Sequence, residues 1–307
     1  MTKIRYAQVD TNGLCNAGCW FCPVAYEGNP KEYVNQMTPD QFRNIIHQIH
    51  INKGGIVSEA FNGIYMSHYN EMLLWRYLEE GLQILREYKM GVMVLTNGTT
   101  LVPKKVDMLN NYQDVLYGIC INAPIWTDRD LFAKRVNMRP KLFDRLVENV
   151  DYAYANYKNK NSLSIQINGH DRESGAIKGP KFPKDLDPFE LDRQVAAAKQ
   201  RYPDINVFKQ PHLIDRVGLI DDYISSEPFI KKGAEVIGCS GKRDTEWLHI
   251  NANADLFLCC NDYHMEYKYG NLNHQDLKDA WMSPKHKMVM QHAFGEICQQ
   301  CTSAVFA

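Results

Sequence analysis

The sequence predicts an α/β fold, a six-stranded parallel sheet with helical crossovers that is closed or partly closed into a barrel, with a smaller cysteine-rich tail. Three observations predict it. Short apolar runs alternate with helix-period segments through the first two-thirds of the chain. That alternation stops near residue 219. The nine cysteines lie near the two chain ends, except for Cys120.

The first strand is expected over residues 4–9, leading into a cysteine loop. Thr38-Pro39-Asp40 offers a cap, a proline at the first helical position and an acid in the first turn, opening a helix over 41–51. Strands follow at 64–67, 91–95, 115–121, 163–167 and 205–209. Helices between them are expected at 73–88, 103–110, 142–157 and 191–201. Parallel strands need right-handed crossovers, and such folds place their sites at the carboxyl ends of the strands. The segment 170–187, rich in Lys, Gly and Pro, reads as a solvated loop. Beyond it, 247–250 and 256–259 flank a polar turn and predict a hairpin, with short helices at 276–282 and 285–293. The expected division is 1–218 for the barrel and 219–307 for the tail. So short a tail needs the barrel, a metal or both to hold it.

The formal net charge of −1 leaves no electrostatic footprint for nucleic acid or an anionic membrane. The first ten residues contain no apolar leader, and no apolar run reaches the length of a membrane span. A cytoplasmic, soluble protein is the expectation. In a reducing compartment, clustered cysteines point to metal or redox chemistry rather than disulfides.

Cys15-Asn16-Ala17-Gly18-Cys19-Trp20-Phe21-Cys22 directly follows the first strand. Three thiolates on one loop can hold three irons of a [4Fe–4S] cube and leave the fourth open to a small ligand. Structural zinc is the alternative, but it asks for a fourth ligand that no nearby Cys or His supplies. At the other end, Cys239, Cys259 and the pair Cys298 and Cys301 make a four-thiolate set, suited to a second cube or to a zinc knot.

The Cys-x3-Cys-x2-Cys spacing, with Phe21 before the last cysteine, resembles the signature of the radical S-adenosylmethionine (SAM) superfamily. That resemblance implies a partial (β/α)6 barrel, SAM as cofactor, and a SAM-binding [4Fe–4S] cluster on Cys15, Cys19 and Cys22. Further landmarks follow in the family's order. Glu71, in His68-Tyr69-Asn70-Glu71, matches the acid of a segment that contacts the SAM amine, although an acid opening a helix is the simpler alternative. Thr96-Asn97-Gly98 matches a turn near the SAM ribose, and by itself is a plain turn signal. Asn122 ends the fourth strand where relatives often carry Asp. Arg135 resembles an arginine that pairs with the SAM carboxylate, a role that suits a guanidinium fork; a surface arginine is the alternative. Gln166 falls near the expected adenine edge.

The stretch 247–263, Gly270-Asn271-Leu272, Trp281 and the closing Cys-x2-Cys resemble the SPASM/twitch region of the same superfamily. Ala254 stands where relatives usually have glycine. The cysteine count implies one auxiliary [4Fe–4S] cluster, with either Cys259 or Cys260 as a ligand. The resemblance further implies hydrogen abstraction after reductive SAM cleavage, with a flavodoxin- or ferredoxin-type electron donor. By analogy with twitch-type dehydrogenases, the substrate is expected to be a small sugar- or cyclitol-like alcohol and the net reaction an oxidation. Arg216, just after the sixth strand, is the candidate base, with an Arg–Asp surface pair as the alternative. A ribosomal-peptide maturase or epimerase is the second expectation, though a strand beginning at residue 4 leaves no room for a preceding recognition domain. A non-catalytic iron–sulfur or zinc module is the third.

Overall fold

The computed structural model describes residues 2–29, 35–170, 177–211, 213–225, 230–231 and 233–307. Six parallel strands form the wall in sequence order: β1 (Tyr6–Val9), β2 (Gly63–Tyr65), β3 (Gly91–Thr96), β4 (Leu116–Asn122), β5 (Leu163–Asn168) and β6 (Asn206–Gln210). The register sets Gln8 opposite Tyr65, Leu95 opposite Cys120, Asn122 opposite Gln166 and Asn168 opposite Gln210.

A strand's period of two then divides the wall into faces of different chemistry. Val9, Ile64, Val92, Val94, Ile121, Ile165 and Val207 belong to the buried core, together with Leu82, Leu85, Leu146 and Val150 from the surrounding helices. The opposite, inner face carries Gln8, Asn122, Gln166 and Asn168, most of them only partly buried. The apolar face therefore holds the barrel together, and the polar face is left for ligands.

The helix Pro39–Ile51 starts where expected, with a reciprocal capping box between Thr38 and Gln41. The expected helix over 73–88 is divided in two. A short turn, Met72–Leu74, is capped by the Glu71 carboxylate, and the α-helix begins only at Leu78. Trp75 causes the break: its indole donates to the Met37 carbonyl at 2.8 Å, and its ring lies against Gly81, where a Cβ would come within 2.2 Å of it.

The loop expected over 170–187 is solvated along most of its described length but anchored at two points. Phe182 and Leu186 are buried in a small apolar cluster with Trp20, and Ile177–Lys178 pairs with Ile224–Ser225. Two apolar side chains four residues apart found a partner far away in sequence, Trp20 in the cysteine loop. Residues 171–176 of this segment lie outside the described residues.

The tail continues the barrel sheet. Strand β7 (Trp247–Ile250) runs parallel to β1, pairing Tyr6 with Trp247 and Val9 with Ile250. Strands β8 (Asp255–Phe257) and β9 (Lys268–Asn271) follow antiparallel. The expected hairpin is thus present, but its second strand ends at Phe257, so both following cysteines stand clear of the ladder. Ala254 in its turn has φ +65°, the left-handed region that glycine enters without cost. That backbone explains the glycine usual in relatives. Leu248, Ile250, Leu256, Leu272 and Leu277 share one core with the barrel. Gln48 stitches the tail to the first long helix, donating to the Leu272 carbonyl at 3.3 Å and accepting from the Leu277 N–H at 2.6 Å.

Candidate functional site

The first cysteine loop is held by its own side chains and by a neighbouring helix end. Gly18 N–H donates to the Val136 carbonyl and Trp20 N–H to that of Arg135, at 2.8 and 3.0 Å, so the loop satisfies carbonyls at the C-terminus of the helix Arg129–Val136. Asn29 brackets Cys15, accepting from its N–H at 2.9 Å and donating to its carbonyl at 3.1 Å. Asn12 accepts from the Leu14 N–H and donates to the Glu71 carbonyl, while the Glu71 N–H donates to Leu14 at 2.7 Å.

The three thiols are crowded together in half-buried positions. Burial pushes Cys15 up to about 12, with the charge of Cys22 adding to it. Cys19 is driven well above the usual thiol value by burial and then by Cys22 and Cys15. Cys22 is raised by burial, opposed by the Val24 N–H and by Arg216. Thiols so placed keep their protons unless a cationic group compensates them, and iron does so. No three Cys, His, Asp or Glu side chains among the described residues converge on the space of a single ion; the fit rests on this donor chemistry. Phe21 packs beside Trp20 at 5.8 Å, in the small apolar cluster.

Two of the strand-end landmarks come together. Glu71 is 2% exposed, and its carboxylate accepts from the N–H of Asn97 at 2.7 Å and of Leu73 at 3.2 Å. Burial still raises its pKa against those bonds. Asn97 donates to Asn16 at 2.8 Å, joining the Thr96-Asn97-Gly98 turn to the cysteine loop. The Thr96 hydroxyl accepts from the Gly98 N–H, so it shapes the turn. Asn122 and Gln166 are register partners on the inner wall, and Gln166 donates to Asn168 at 2.7 Å.

Arg135 has other employment. It is 1% exposed, and its Nε and Nη2 donate to the two oxygens of Glu190 at 2.9 and 2.7 Å, with Nη1 3.2 Å from Asp185. Its fork is spent on a buried ion pair, which neither reading of a SAM contact or a surface arginine described.

The C-terminal thiols are assembled from separate segments. Cys239 ends the strand Val236–Cys239, which pairs with Ala304–Phe306, and Cys298 and Cys301 lie in and just after the turn Ile297–Gln300. Asn261 links two of them, its N–H 3.4 Å from Cys259 Sγ and its side-chain nitrogen 3.4 Å from Cys301 Sγ. Burial drives Cys259 far above its usual value, with Cys260, Cys298 and Cys301 contributing. Burial likewise lifts Cys298 to about 12, helped by Cys301 and Cys239. Cys239, Cys259, Cys298 and Cys301 thus feel one another, which fits a second thiolate-bound cluster. Cys260 acts on Tyr69 and Arg216 as well.

Arg216 stands between the two sets. It follows β6 in a left-handed turn, with φ +54° at Arg216 and Val217 and +88° at Gly218. Two consecutive non-glycine residues there, one of them β-branched, are costly and persist only where the surroundings enforce them. Its guanidinium lies over the Tyr69 ring at 5.6 Å. Tyr69 most of all, and then Cys260 and Cys22, hold it above its ordinary pKa against the effect of burial.

Sequence reasoning missed Asn12, Asn29, Tyr69 and Tyr263. Their signal was weak because asparagines in turns and tyrosines in tails carry no diagnostic spacing. Trp126 is buried, with its indole donating to the Ala123 carbonyl at 2.9 Å. Tyr65 borders a cavity of about 560 Å³ at the amino ends of the strands, stacked on Trp247. That cavity contains no cysteine, and ligands of parallel α/β folds bind at the opposite end.

Fold and thiol chemistry together define a parallel barrel built to hold iron–sulfur clusters at its carboxyl mouth. The family comparison agrees. The model of the radical SAM superfamily matches residues 10–176 and that of the SPASM iron–sulfur cluster-binding domain matches 239–302. The chain belongs to the radical SAM superfamily. Its cofactors are therefore SAM and [4Fe–4S] iron–sulfur clusters, one in the barrel and auxiliary binding in the SPASM region. Among curated proteins nothing matches. Among solved structures, BtrN in complex with AdoMet and 2-DOIA is 15% identical, with a TM-score of 0.58 over 99% of this chain and 92% of that one. Streptococcus suis SuiB bound to precursor peptide SuiA is 13% identical, with a TM-score of 0.63 over 95% of this chain and 67% of that one. Native anSMEcpe with bound AdoMet is 10% identical, with a TM-score of 0.58 over 96% and 86%. At these identities the likeness concerns the fold. No helix among the described residues is long and apolar enough to cross a membrane.

Proposed function

We propose that the chain is an oxidoreductase that removes hydrogen from a secondary alcohol of a small sugar- or cyclitol-like molecule. The carrying observation is the meeting of the two cysteine sets, with Arg216 and Tyr69 each within electrostatic reach of Cys22 and Cys260. When bound, the clusters and SAM supply an electron, a carbon-centred radical and a nearby electron sink. The protein supplies orientation and exclusion of water. In this reading Cys15, Cys19 and Cys22 hold the first cluster and Cys239, Cys259, Cys298 and Cys301 the second. Glu71 receives the SAM amine, the turn at Thr96 and Asn97 borders the ribose, and Asn122 and Gln166 line the wall toward the adenine.

Arg216 is proposed to stabilise the substrate oxygen as its proton leaves. Its neighbours keep the guanidinium charged, so it would not take the hydroxyl proton itself; it would donate N–H bonds to the developing oxyanion while that proton passes to solvent. An open cleft of about 460 Å³, lined by Asp215, Gly218, Asp221 and Gln300 among others, adjoins it and has room for a small molecule. The BtrN complex supports the small-molecule reading. A peptide substrate is the second reading, favoured by the SuiB complex with its precursor peptide. We further take the enzyme to be cytoplasmic and to receive electrons from a flavodoxin- or ferredoxin-type protein.

The test is isotopic. Anaerobic protein with dithionite and SAM should move deuterium from a carbinol-labelled cyclitol into 5′-deoxyadenosine and yield a ketone. Deuterium transfer from a peptide α- or β-carbon, with none from cyclitols or sugars, would replace the first reading by the second.

A further inference from the structure

The two cysteine sets are joined by one short segment, residues 68–71, which leaves β2 at the mouth of the barrel. At its far end the Glu71 N–H bonds to the carbonyl of Leu14, the residue before Cys15. At its near end two side chains converge on a single acceptor, the carbonyl of Cys260. His68 Nε2 lies 2.6 Å from that oxygen, and the Tyr69 hydroxyl donates to it at 3.0 Å. A carbonyl only accepts, so His68 carries its proton on Nε2.

Both side chains are fixed in turn. His68 Nδ1 lies 3.3 Å from Asp10 Oδ2, although without hydrogen-bond alignment, and the His68 side chain is only 5% exposed. The Tyr69 ring meets the edge of Tyr263 at 4.7 Å and carries the Arg216 guanidinium at 5.6 Å. Tyr263 donates to the Gly28 carbonyl, beside the Asn29 that brackets Cys15. The auxiliary loop 259–263 is therefore tied to the first cysteine loop twice, through residues 68–71 and through Tyr263.

We propose that His68 and Tyr69 are positioning residues which clamp the Cys260 carbonyl and so set the spacing and orientation of the auxiliary cluster relative to the SAM cluster. This rests on the assignment of one cluster to each cysteine set. Neither residue is a candidate ligand, and neither is assigned to SAM. One acceptor held by two side chains is a rigid joint, because each donor restricts a different direction of the carbonyl and losing either loosens it. The clamp fixes how an electron leaving the substrate site reaches the second cluster; it makes and breaks no bond itself.

The experiment uses the anaerobically reconstituted full chain. Wild type, Tyr69→Phe, His68→Gln, His68→Leu and the double variant His68→Leu with Tyr69→Phe are compared by iron content, by pulsed EPR of both reduced clusters, and by product formed per 5′-deoxyadenosine. The proposal expects every variant to keep wild-type iron and the SAM-induced change in the first cluster's signal. It expects magnetic coupling between the clusters to fall several-fold in the double variant and less in each single variant. His68→Gln, which keeps an N–H donor, should stay near wild type while His68→Leu does not. Coupling and product ratio unchanged in the double variant would overturn the clamp. Should that variant lose iron, Tyr69→Phe decides alone, since it deletes only the hydroxyl: reduced coupling supports the clamp and wild-type coupling rejects it. Wild-type protein with a single cluster would overturn both the clamp and the assignment beneath it, and that result is legible before any variant is read.

Discussion

The two cysteine sets solve the same problem by opposite means. Cys15, Cys19 and Cys22 lie within eight residues, on one loop that follows one strand. Asn12 and Asn29 fix the loop from within, and Asn16 joins it to Asn97. Cys239, Cys259, Cys298 and Cys301 come from separate strands and turns, spread over more than sixty residues. That set exists only once β7 has paired with β1 and the last strand has closed on Val236–Cys239. A local site depends on its loop, whereas a composite site depends on everything that brings its parts together. The second is therefore the one that distant substitutions should disturb.

Removing thiols gives the largest effects. Replacing Cys15, Cys19 and Cys22 by Ala should abolish SAM cleavage and remove about half of roughly eight irons per chain. Replacing Cys298 and Cys301 should remove the other half while 5′-deoxyadenosine still forms, uncoupled from product. Iron and sulfide assays with product analysis check both, and complete iron loss in either variant would contradict independent sites.

Arg135→Ala tests whether the local site is truly self-sufficient. Breaking its buried pair with Glu190 should cost about 3–5 kcal/mol, measured by denaturant unfolding. The helix that bears Arg135 also receives the N–H groups of Gly18 and Trp20, so iron at the first site should fall with stability. A folded, fully stable variant with weakened SAM binding alone would return Arg135 to the SAM carboxylate.

Glu71 is next. Glu71→Gln removes a charge-assisted bond worth about 1.5–3 kcal/mol, so SAM affinity should fall at least about tenfold. Burial raises the folded pKa of Glu71 above its unfolded value, so its own contribution to stability is full at low pH and is lost as pH rises through the folded pKa. A SAM ammonium prefers the ionised form. Affinity should therefore climb as pH rises through that raised pKa in wild type and stay flat in Glu71→Gln. Calorimetric titration across acidic to neutral pH distinguishes them.

The smallest effect sharpens the contrast. Gln48→Ala leaves the Leu277 N–H without its partner, a loss of about 1–3 kcal/mol. Hydrogen exchange should rise in Lys268–Asn271 and the helix Leu277–Met282 and hardly change in β3 or β4. Uniform loosening would show that barrel and tail open together.

How much was legible follows the same division. The six parallel strands were readable because period-two and period-3.6 patterns are local, and strands alternating with helices need right-handed crossovers. The first cysteine loop was readable for the same reason. The helix expected from residue 73 failed at Trp75, whose indole answers a carbonyl near the start of another helix. The solvated reading of 170–187 agrees with most of its described residues and failed at Phe182 and Leu186, which found Trp20.

By itself, then, the sequence determined the six parallel strands and the three-thiol loop, while Glu71 and Asn97 were marked by resemblance to the family. Only the tertiary structure decided that Arg135 belongs to Glu190, that β7 extends the barrel sheet, and that His68 and Tyr69 reach Cys260 across 191 residues or more. The reason is physical. A motif records which groups one stretch of chain can offer, whereas a long-range hydrogen bond depends on where two stretches are brought by the packing of everything between them.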